Sequence, residues 1–330
     1  MRIAVDAMGG DHAPAEIIRG AVAAARDHRG EVILVGREEV IAEELKKIGC
    51  RVKNIRIVHA PEYIAMDDQP AMALRRKKGS SIGVATQLVK AGEADGLVSA
   101  GNTGAQMAAA LLTLGRIEGI MRPAIATIVP TIVGGRLLLD VGANVDCRPQ
   151  HLLQFAQMGA IYAEKVLGLS RPRVGLLNIG TERNKGNELT LAAWDLLAAS
   201  GLNFIGNVEP RDIPLGAADV VVCDGFVGNA ILKFGEGLAA ALLAMLRHEL
   251  VNRPVARAGA ALALPALRSL WRRLDYAEYG GAPLLGVKGV SLVCHGSSKA
   301  RAIESAVRVA RHCVASNFVA ALSKAFDQVG

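Results

Sequence analysis

The chain repeats one three-part pattern of apolar and polar positions: a short apolar stretch, a loop of glycine and small polar residues, then a run rich in alanine and leucine. An apolar stretch before an alanine-rich run is typical of a β-strand before a helix, and their alternation predicts an α/β fold with a parallel sheet and helices on both faces. The predicted strands are residues 2–5, 96–99, 137–139, 174–178, 220–223 and 290–294, with helices starting at about Pro14 and Thr103.

The loops after these strands share a composition of glycine with small polar or charged residues. They read DAMGGDHAP, AGNTGA, DVGANVDCRP, IGTERNKGNE, DGFVGNA and HGSSKA. Because the carboxyl ends of parallel strands meet at one edge of a sheet, we expect the helix N-termini there to point free N–H groups into a shared crevice. Tight turns alone explain the glycines of any one loop. Six such loops favour a crevice that binds anions.

Residues from about 235 to 286 interrupt the pattern with two long helical runs, which predict an inserted hairpin. Its apolar centre, residues 258–267, contains Pro265 and is followed by Arg268, Trp271, Arg272 and Arg273. This composition is typical of a helix in the headgroup region of an anionic membrane. A dimer interface explains it equally well. No segment is continuously apolar over the roughly 18 residues that a spanning helix needs, so we expect a soluble or peripheral protein.

Composition narrows the partners and the compartment. The net charge of +7 favours polyanionic partners, and an aromatic content of 4% leaves few stacking platforms for single-stranded nucleic acid, which we rank last. The five cysteines are scattered and form no C-x-x-C pair, which fits a reducing compartment and gives no zinc or redox motif. The first strand starts at once, without the apolar region of a secretory signal.

Seven sequence blocks occur in an order that carries a family resemblance. They are VDAMGGDHAP, QPAMALRRKKGSS, SAGNTGA, LLDVGAN, LNIGTERNKGNE, CDGFVGN and HGSSK. Together they closely resemble the PlsX phosphate acyltransferase family of bacterial phospholipid synthesis. The match runs from Arg2 to about Arg311, which is nearly the whole chain.

The resemblance implies a fold, a reaction and partners. The implied fold is a single three-layer α/β/α domain over residues 1–330, similar to phosphotransacetylases and to isocitrate and isopropylmalate dehydrogenases. The implied reaction converts acyl-acyl carrier protein and inorganic phosphate to acyl phosphate and free carrier, with no cofactor and no metal. A homodimer, contact with the inner face of an anionic cell membrane, and coupling to a membrane glycerol-3-phosphate acyltransferase are also implied.

Four side chains are candidates for the chemistry of such a reaction. Lys185 follows a predicted strand and can offset phosphate charge, or it is a solvated loop lysine. Asn229 can donate to an oxyanion, or it caps the helix that starts near it. His12 and His295 lie in loops where an imidazole can share a proton with phosphate, although loop histidines are usually solvated.

Further residues are candidates for phosphate binding. Backbone N–H groups at glycines can cradle phosphate oxygens, namely those at Gly9, Gly10, Gly180 and Gly228. Side chains at predicted helix N-termini can add ligands, namely Asn102, Thr103, Ser297, Ser298 and Lys299. Acidic and amide side chains can orient these donors or cap helices, namely Asp6, Asp140, Asn144 and Asp224. The basic residues 75–78 can receive an acidic carrier protein or phosphate, as can the arginines between 247 and 273.

Three rival interpretations stay open. A covalent route through Cys223 or Cys294 is conceivable, although cysteines at strand ends are usually only packed. A nicotinamide-dependent dehydrogenase would have the same layered periodicity, but the first loop lacks the G-x-G-x-x-G fingerprint. A scaffold recruited to membranes without chemistry is the non-enzymatic alternative.

Overall fold

A computed structural model describes residues 1–27, 30–252, 254–274 and 279–327. Eleven strands form one sheet in the order β3-β2-β1-β4-β11-β10-β5-β6-β9-β7-β8. The strands are β1 (Arg2–Asp6), β2 (Glu31–Gly36), β3 (Ile55–His59), β4 (Gly96–Ser99), β5 (Ala124–Thr131), β6 (Gly134–Leu139), β7 (Val174–Leu177), β8 (Phe204–Val208), β9 (Val220–Val222), β10 (Ala282–Leu285) and β11 (Val290–Val293).

Helices cover both faces of this sheet. They are α1 (Ala15–Ala25), α2 (Glu38–Lys47), α3 (Pro70–Arg76), α4 (Ser81–Lys90), α5 (Thr103–Ala109), α6 (Pro149–Lys165), α7 (Glu188–Ala198), α8 (Gly225–Asn252), α9 (Pro254–Leu274), α10 (Ala300–Ala315) and α11 (Phe318–Phe326). One large apolar cluster joins α1, α6 and α10 to one face of the sheet. Two smaller clusters lie on the other face, one under α4 and one under α5 and α8. The three-layer α/β/α architecture is therefore confirmed.

The sheet consists of two parallel groups that run in opposite directions. Strands β2, β3, β4 and β11 are parallel to β1, and strands β7, β8 and β9 are parallel to β6. Between the groups, β10 pairs antiparallel with both β11 and β5, and β5 pairs antiparallel with β6. The expectation that all six loops leave the same edge of the sheet is therefore wrong. Because the two groups run in opposite directions, the loops after β1, β4 and β11 leave one edge, and the loops after β6, β7 and β9 leave the other.

Local sequence explains why the elements begin where they do. The strands β1 and β9 are buried on both faces, so they are continuous apolar runs rather than alternating ones. Helix α7 starts after Asn187, whose side chain accepts the N–H of Thr190 while the Thr190 hydroxyl accepts the N–H of Asn187, a capping box. Ser80 precedes α4, and Asn102 caps α5 by accepting the N–H of Ala105.

The hairpin predicted at 235–286 has different bounds. Helix α8 starts at Gly225, about ten residues earlier, because the small residues of GFVGNA let its first turn pack directly on the β6 loop. Residues 282–285 are strand β10 of the sheet. Residues 253 and 275–278 of the predicted hairpin, and the side chains of Arg272 and Arg273, lie outside the described residues.

Among the described helices, α8 is long and apolar enough to cross a membrane by length and composition alone. The sequence analysis expected no spanning helix because Lys233 and Glu236 interrupt the apolar run. The mean hydropathy of the helix nevertheless stays as high as that of a spanning helix. Gly225 and Gly228 in the first turn are buried in the α/β body. Phe226 and Val227 of the same turn are exposed, and from Phe234 onward exposed apolar side chains recur along the helix.

Candidate functional site

The loop after β1 is organised by a buried carboxylate. Asp6 accepts the N–H of Met8 at 3.2 Å and the hydroxyl of Ser99 at 2.8 Å, and Ser99 in turn accepts the N–H of Gly101 at 3.0 Å. Burial raises the pKa of Asp6, although hydrogen bonds from Ser81 and Ser99 oppose the shift. A Cβ at Gly9 would lie 2.8 Å from Gly101 Cα, so glycine is required for the close approach of the two loops. Of the two roles predicted for Asp6, orienting donors and capping a helix, these hydrogen bonds agree with the first.

Asn102 holds the segment before α3 against α5. Its Nδ2 donates to the backbone oxygens of Ala65, Met66 and Asp68 at 3.3, 3.1 and 3.1 Å. Its Oδ1 caps α5, so every polar atom of this side chain is engaged within the protein. Direct contact of the Asn102 side chain with phosphate stays a prediction, as does that of Thr103.

The loop after β11 lies beside the β1 loop. The N–H of Asp11 donates to the backbone oxygen of Gly296 at 2.8 Å, which brings the predicted candidates His12 and His295 onto neighbouring loops. His295 Nδ1 lies 2.7 Å from the hydroxyl of Ser297, and both histidines and Lys299 are exposed. Ser298 is buried.

Glu16 occupies the start of α10. Its Oε2 accepts the N–H of Ala300 at 3.0 Å, and this hydrogen bond lowers the pKa of Glu16. Glu16 belongs to the first turn of α1, which follows the loop that carries Gly9 and Gly10. The carboxylate therefore ties the β1 and β11 loops together and holds a position at a helix N-terminus that suits an anion.

A second buried carboxylate organises the loop after β6. Asp140 accepts five N–H donors: the backbone of Ile125, Gly142, Ala143 and Asn144, and the Asn144 side chain, at 2.7 to 3.3 Å. Burial raises the pKa of Asp140, and these hydrogen bonds oppose the shift. The Asn144 amide also donates to the backbone oxygen of Pro123 at 2.8 Å, so both side chains are structural supports of the loop.

The first turn of α8 packs on this loop. Asp224 caps α8 by accepting the N–H of Val227 at 2.9 Å. A Cβ at Gly228 would lie 1.9 Å from the backbone oxygen of Asp140, so only glycine fits. Asn229 follows one residue later, and its side-chain amide lies about 3.8 Å from the position of a Cβ on Gly142. Since Asp224 is the cap, the alternative that Asn229 caps the helix is wrong.

The amide of Asn229 makes no hydrogen bond to any residue in the described ranges, and it is half-buried. An unengaged donor beside a glycine loop is the arrangement that an oxyanion site requires. Its role in catalysis stays a prediction.

The loop after β7 presents Lys185. Asn178 donates from Nδ2 to the backbone oxygen of Lys185 at 3.0 Å and accepts the N–H of Ile179 at 2.8 Å. The Lys185 side chain is exposed, lies close to Gly180, and forms no ion pair within the described parts of the chain. A lysine held by its backbone while its ammonium stays unpaired is able to bind an external anion.

The two groups of loops share one apolar support. Met107 of α5, Ala143 of the β6 loop and Ile231 of α8 pack against the same cluster on one face of the sheet. Helices α5 and α8, which both start in a predicted substrate loop, therefore cover the same apolar cluster.

The cysteines near the site are protonated thiols. Burial raises the pKa of Cys294 to about 12 and that of Cys223 well above its ordinary value. Cys147 has its pKa raised to about 12 for the same reason. A buried thiol in this state is a poor nucleophile at neutral pH. Within residues 1–27, 30–252, 254–274 and 279–327, no three His, Cys, Asp or Glu side chains are grouped to hold a metal ion.

Ser99, Ser81, Glu16 and Asn178 support the site but were not predicted from sequence. Ser99 and Asn178 lie at or just after strand ends in the motif blocks, a position that gives a usable signal. Glu16 sits inside an ordinary helix pattern, and only the packing of α1 on α10 reveals its partner.

Comparison with known proteins decides the family. A family model described as "Fatty acid synthesis protein" matches residues 1–321. The curated phosphate acyltransferase of Heliobacterium modesticaldum is 62% identical over 325 residues, which cover 98% of this chain and 97% of that protein. The chain belongs to the phosphate acyltransferase family. The phosphate acyltransferase of Moorella thermoacetica is 61% identical and covers 98% of this chain and 95% of its own length.

Membership in the phosphate acyltransferase family confirms two predictions. The family resemblance is confirmed, and the chain is an enzyme of the acyltransferase class that acts in fatty acid and phospholipid synthesis. The phosphotransacetylase of Streptococcus pyogenes is similar in fold, with a TM-score of 0.67 at 17% identity over 96% of this chain and 94% of that one. This likeness confirms the predicted kinship with phosphotransacetylase folds. The two curated relatives reported above are named phosphate acyltransferase rather than dehydrogenase or scaffold.

Proposed function

We propose that this acyltransferase moves a fatty acyl group from the thioester of acyl carrier protein to inorganic phosphate, which releases acyl phosphate and free carrier. The observation that carries the proposal is the match along almost the whole chain to relatives named phosphate acyltransferase. Their name supplies phosphate as the acceptor. The carrier protein as donor rests on the resemblance of the motif blocks and agrees with the net charge of +7.

Phosphate is an anionic nucleophile at neutral pH, so the enzyme needs no strong base. A phosphate oxygen attacks the thioester carbonyl carbon, the new C–O bond forms, and the C–S bond breaks as its electron pair leaves on sulfur. Thiolates leave readily because the unperturbed thiol pKa is about 8.5. The task of the protein is then to place two anionic partners together and to offset their charge.

The described geometry suits this task. The Lys185 ammonium on the β7 loop pairs with no described residue, which supports its role in neutralising phosphate. The Asn229 amide at the start of α8 makes no hydrogen bond to a described residue, which supports its role as the oxyanion donor. His295, hydrogen-bonded to Ser297, and His12 lie on the neighbouring β11 and β1 loops, which supports a role for either imidazole in sharing a proton with phosphate.

The test is thioester loss from palmitoyl-acyl carrier protein, with and without inorganic phosphate, while hydroxylamine traps any acyl phosphate. We expect hydroxamate that depends on phosphate. Thioester loss without phosphate would indicate a thioesterase instead, and intact thioester under both conditions would contradict the proposal.

Two alanine variants test the assigned roles. Lys185→Ala should raise the phosphate KM by roughly 10- to 100-fold, since a hydrogen bond to a charged group contributes about 1.5–3 kcal/mol. Asn229→Ala should lower kcat by roughly 100-fold, as loss of an oxyanion donor does. Lys90→Ala, an exposed lysine at the far end of α4, and Asn252→Ala, at the far end of α8, are the matched controls. Near-normal kinetics for Lys185→Ala and Asn229→Ala would show the assignment to be wrong.

The same proposal includes a location. The exposed apolar residues of α8 and α9 support peripheral contact with the inner face of the cell membrane, or a homodimer, or both. Acyl phosphate made there would be consumed by a membrane glycerol-3-phosphate acyltransferase, which leads to phosphatidic acid.

A further inference from the structure

We propose that the acidic acyl carrier protein docks on residues 61–78, which we name the rim segment. The rim segment consists of the loop before α3, helix α3 itself, and Lys77 and Lys78 after it. This inference rests on the proposed function, because it names the surface by which the donor substrate reaches the site.

The rim segment is fixed against the predicted phosphate loops. Asn102 holds three of its backbone oxygens, as described above. Pro70 packs so tightly on α5 that a Cβ at Gly104 would lie 2.6 Å from it. The Met66 methyl group lies 3.0 Å from the position of a Cβ on Gly296, in the loop that carries His295. A partner bound to the rim segment is thus next to the β1, β4 and β11 loops.

The C-terminal end of the rim segment presents three cations that pair with no described residue, whereas the exposed acids Glu62 and Asp67 lie in its first part. Arg75, Arg76 and Lys78 are exposed and form no ion pair with any described residue. Lys77 differs, because its ammonium is 2.6 Å from the carboxylate of Asp68 and is used inside the segment. Unpaired arginines and lysines on a rigid helix end attract an acidic protein and orient it on approach.

The rim segment also exposes bulky apolar side chains. Tyr63 is 46% exposed, Met66 48% and Met72 47%. Methionine is flexible and polarisable, and aromatic residues and methionine are enriched in the cores of protein interfaces. The combination of basic and adaptable apolar groups therefore fits a helical acidic protein that carries an apolar chain.

Arg247, a basic residue of the hairpin, is well removed from Asn229 along α8. Arg247 lies 18 residues beyond Asn229 on α8, which corresponds to roughly 27 Å at 1.5 Å per residue. Arg257 and Arg268 lie on α9, which pairs with α8 outside the sheet. We assign the carrier protein to the rim segment and leave the hairpin cations to a membrane or a second copy of the chain.

The test compares two triple charge reversals in the full-length enzyme. The rim variant is R75E/R76E/K78E, and the control is R247E/R257E/R268E, which changes the net charge equally. We expect the rim variant to raise the KM for palmitoyl-acyl carrier protein at least tenfold. Its phosphate KM, and its turnover of palmitoyl-pantetheine, which has no carrier protein, should stay unchanged. The control variant should keep the KM for the carrier substrate.

Binding of carrier protein without an acyl group, followed by fluorescence anisotropy, separates this inference from the proposed function. Suppose that carrier protein binds the wild-type enzyme but not the rim variant, and that the wild-type enzyme makes no acyl phosphate. This result would support the docking surface and refute the proposed reaction. Three outcomes would overturn the docking surface. Binding could be lost equally in both variants, it could be unchanged in the rim variant, or the rim variant could be defective only with anionic vesicles. If the rim variant is misfolded by circular dichroism, the neutral variant R75Q/R76Q/K78Q serves in the same comparison.

Discussion

At the scale of single residues, Asp140 determines the shape of the β6 loop. Its carboxylate satisfies five N–H groups, four of them from backbone, in a fully buried place. Asp140→Ala would leave these donors without partners, and each unsatisfied buried group costs about 1–3 kcal/mol. We expect the free energy of unfolding to fall by at least about 3 kcal/mol in urea titrations. Asp146→Ala, on an exposed residue of the same loop, should change it little; equal losses would contradict the role of Asp140.

The buried thiols give a second prediction at this scale. Because burial raises the pKa of Cys294 to about 12 and raises that of Cys223 as well, neither thiol ionises near neutral pH. The raised pKa means that thiolate forms only at strongly alkaline pH, so alkylation at pH 8 should require unfolding. The double variant Cys223→Ala, Cys294→Ala should keep turnover within about threefold, since neither thiol attacks the substrate. A folded double variant without activity would restore the covalent route.

Sequence predicted these residues unevenly. Asp6, Asp140 and Asp224 were expected to orient donors or cap a helix, and the structure gives them such roles because strand-end carboxylates are the nearest acceptors for loop N–H groups. The roles of Asn102 and Glu16 were not predictable, because their partners are 34 to 37 and 284 residues away in the chain. Asn229 remained ambiguous until the start of α8 was known.

At the scale of elements, α8 belongs to two environments. Gly225 and Gly228 of its first turn are buried against the β6 loop and precede Asn229, whereas its later turns are exposed. Alanine substitutions at two glycines of this helix should therefore change the stability of the protein in opposite directions. Gly228→Ala should destabilise the protein by about 2 kcal/mol or more and reduce turnover, because its Cβ would meet backbone that cannot move freely.

Gly237→Ala in the same helix is the matched control. A Cβ there has open space around it, so the variant should be more stable by about 0.5–1 kcal/mol with unchanged activity. Thermal unfolding followed by calorimetry, with turnover measured in parallel, distinguishes the two. If both variants lose stability, the helix is not packed as described.

Sequence predicted the strands before the six loops to within a few residues, because buried parallel strands are compact apolar runs. It did not predict the reversal in the sheet. Strands β5 and β10 follow no glycine loop of the repeated pattern, and their antiparallel pairing depends on partners more than 150 residues apart. The hairpin bounds were wrong for a related reason, since periodicity cannot show that a helix begins inside a functional loop.

At the scale of the whole molecule, the rim segment and the α8–α9 hairpin are two separate surfaces that each combine basic and exposed apolar residues. The rim segment lies beside the predicted phosphate loops, whereas α8 and α9 expose Leu242, Met245 and Leu262 away from the sheet. If the proposed docking and membrane contacts both form, separate surfaces would let the enzyme receive its donor while it stays attached to the membrane. Burying one leucine side chain contributes about 1.5–3 kcal/mol, so a few such residues are enough for reversible attachment.

Leu262 on α9 is 87% exposed. We expect the wild-type enzyme to bind vesicles that contain phosphatidylglycerol, and Leu262→Glu to bind them at least tenfold more weakly, since a leucine contributes about 1.5–3 kcal/mol when buried. Ile132→Glu, at the 73% exposed turn between β5 and β6, is the control and should bind normally. Vesicle sedimentation and analytical ultracentrifugation are both needed. If Leu262→Glu keeps vesicle binding but becomes monomeric, the apolar face of the hairpin is covered by a second copy of the chain rather than by lipid.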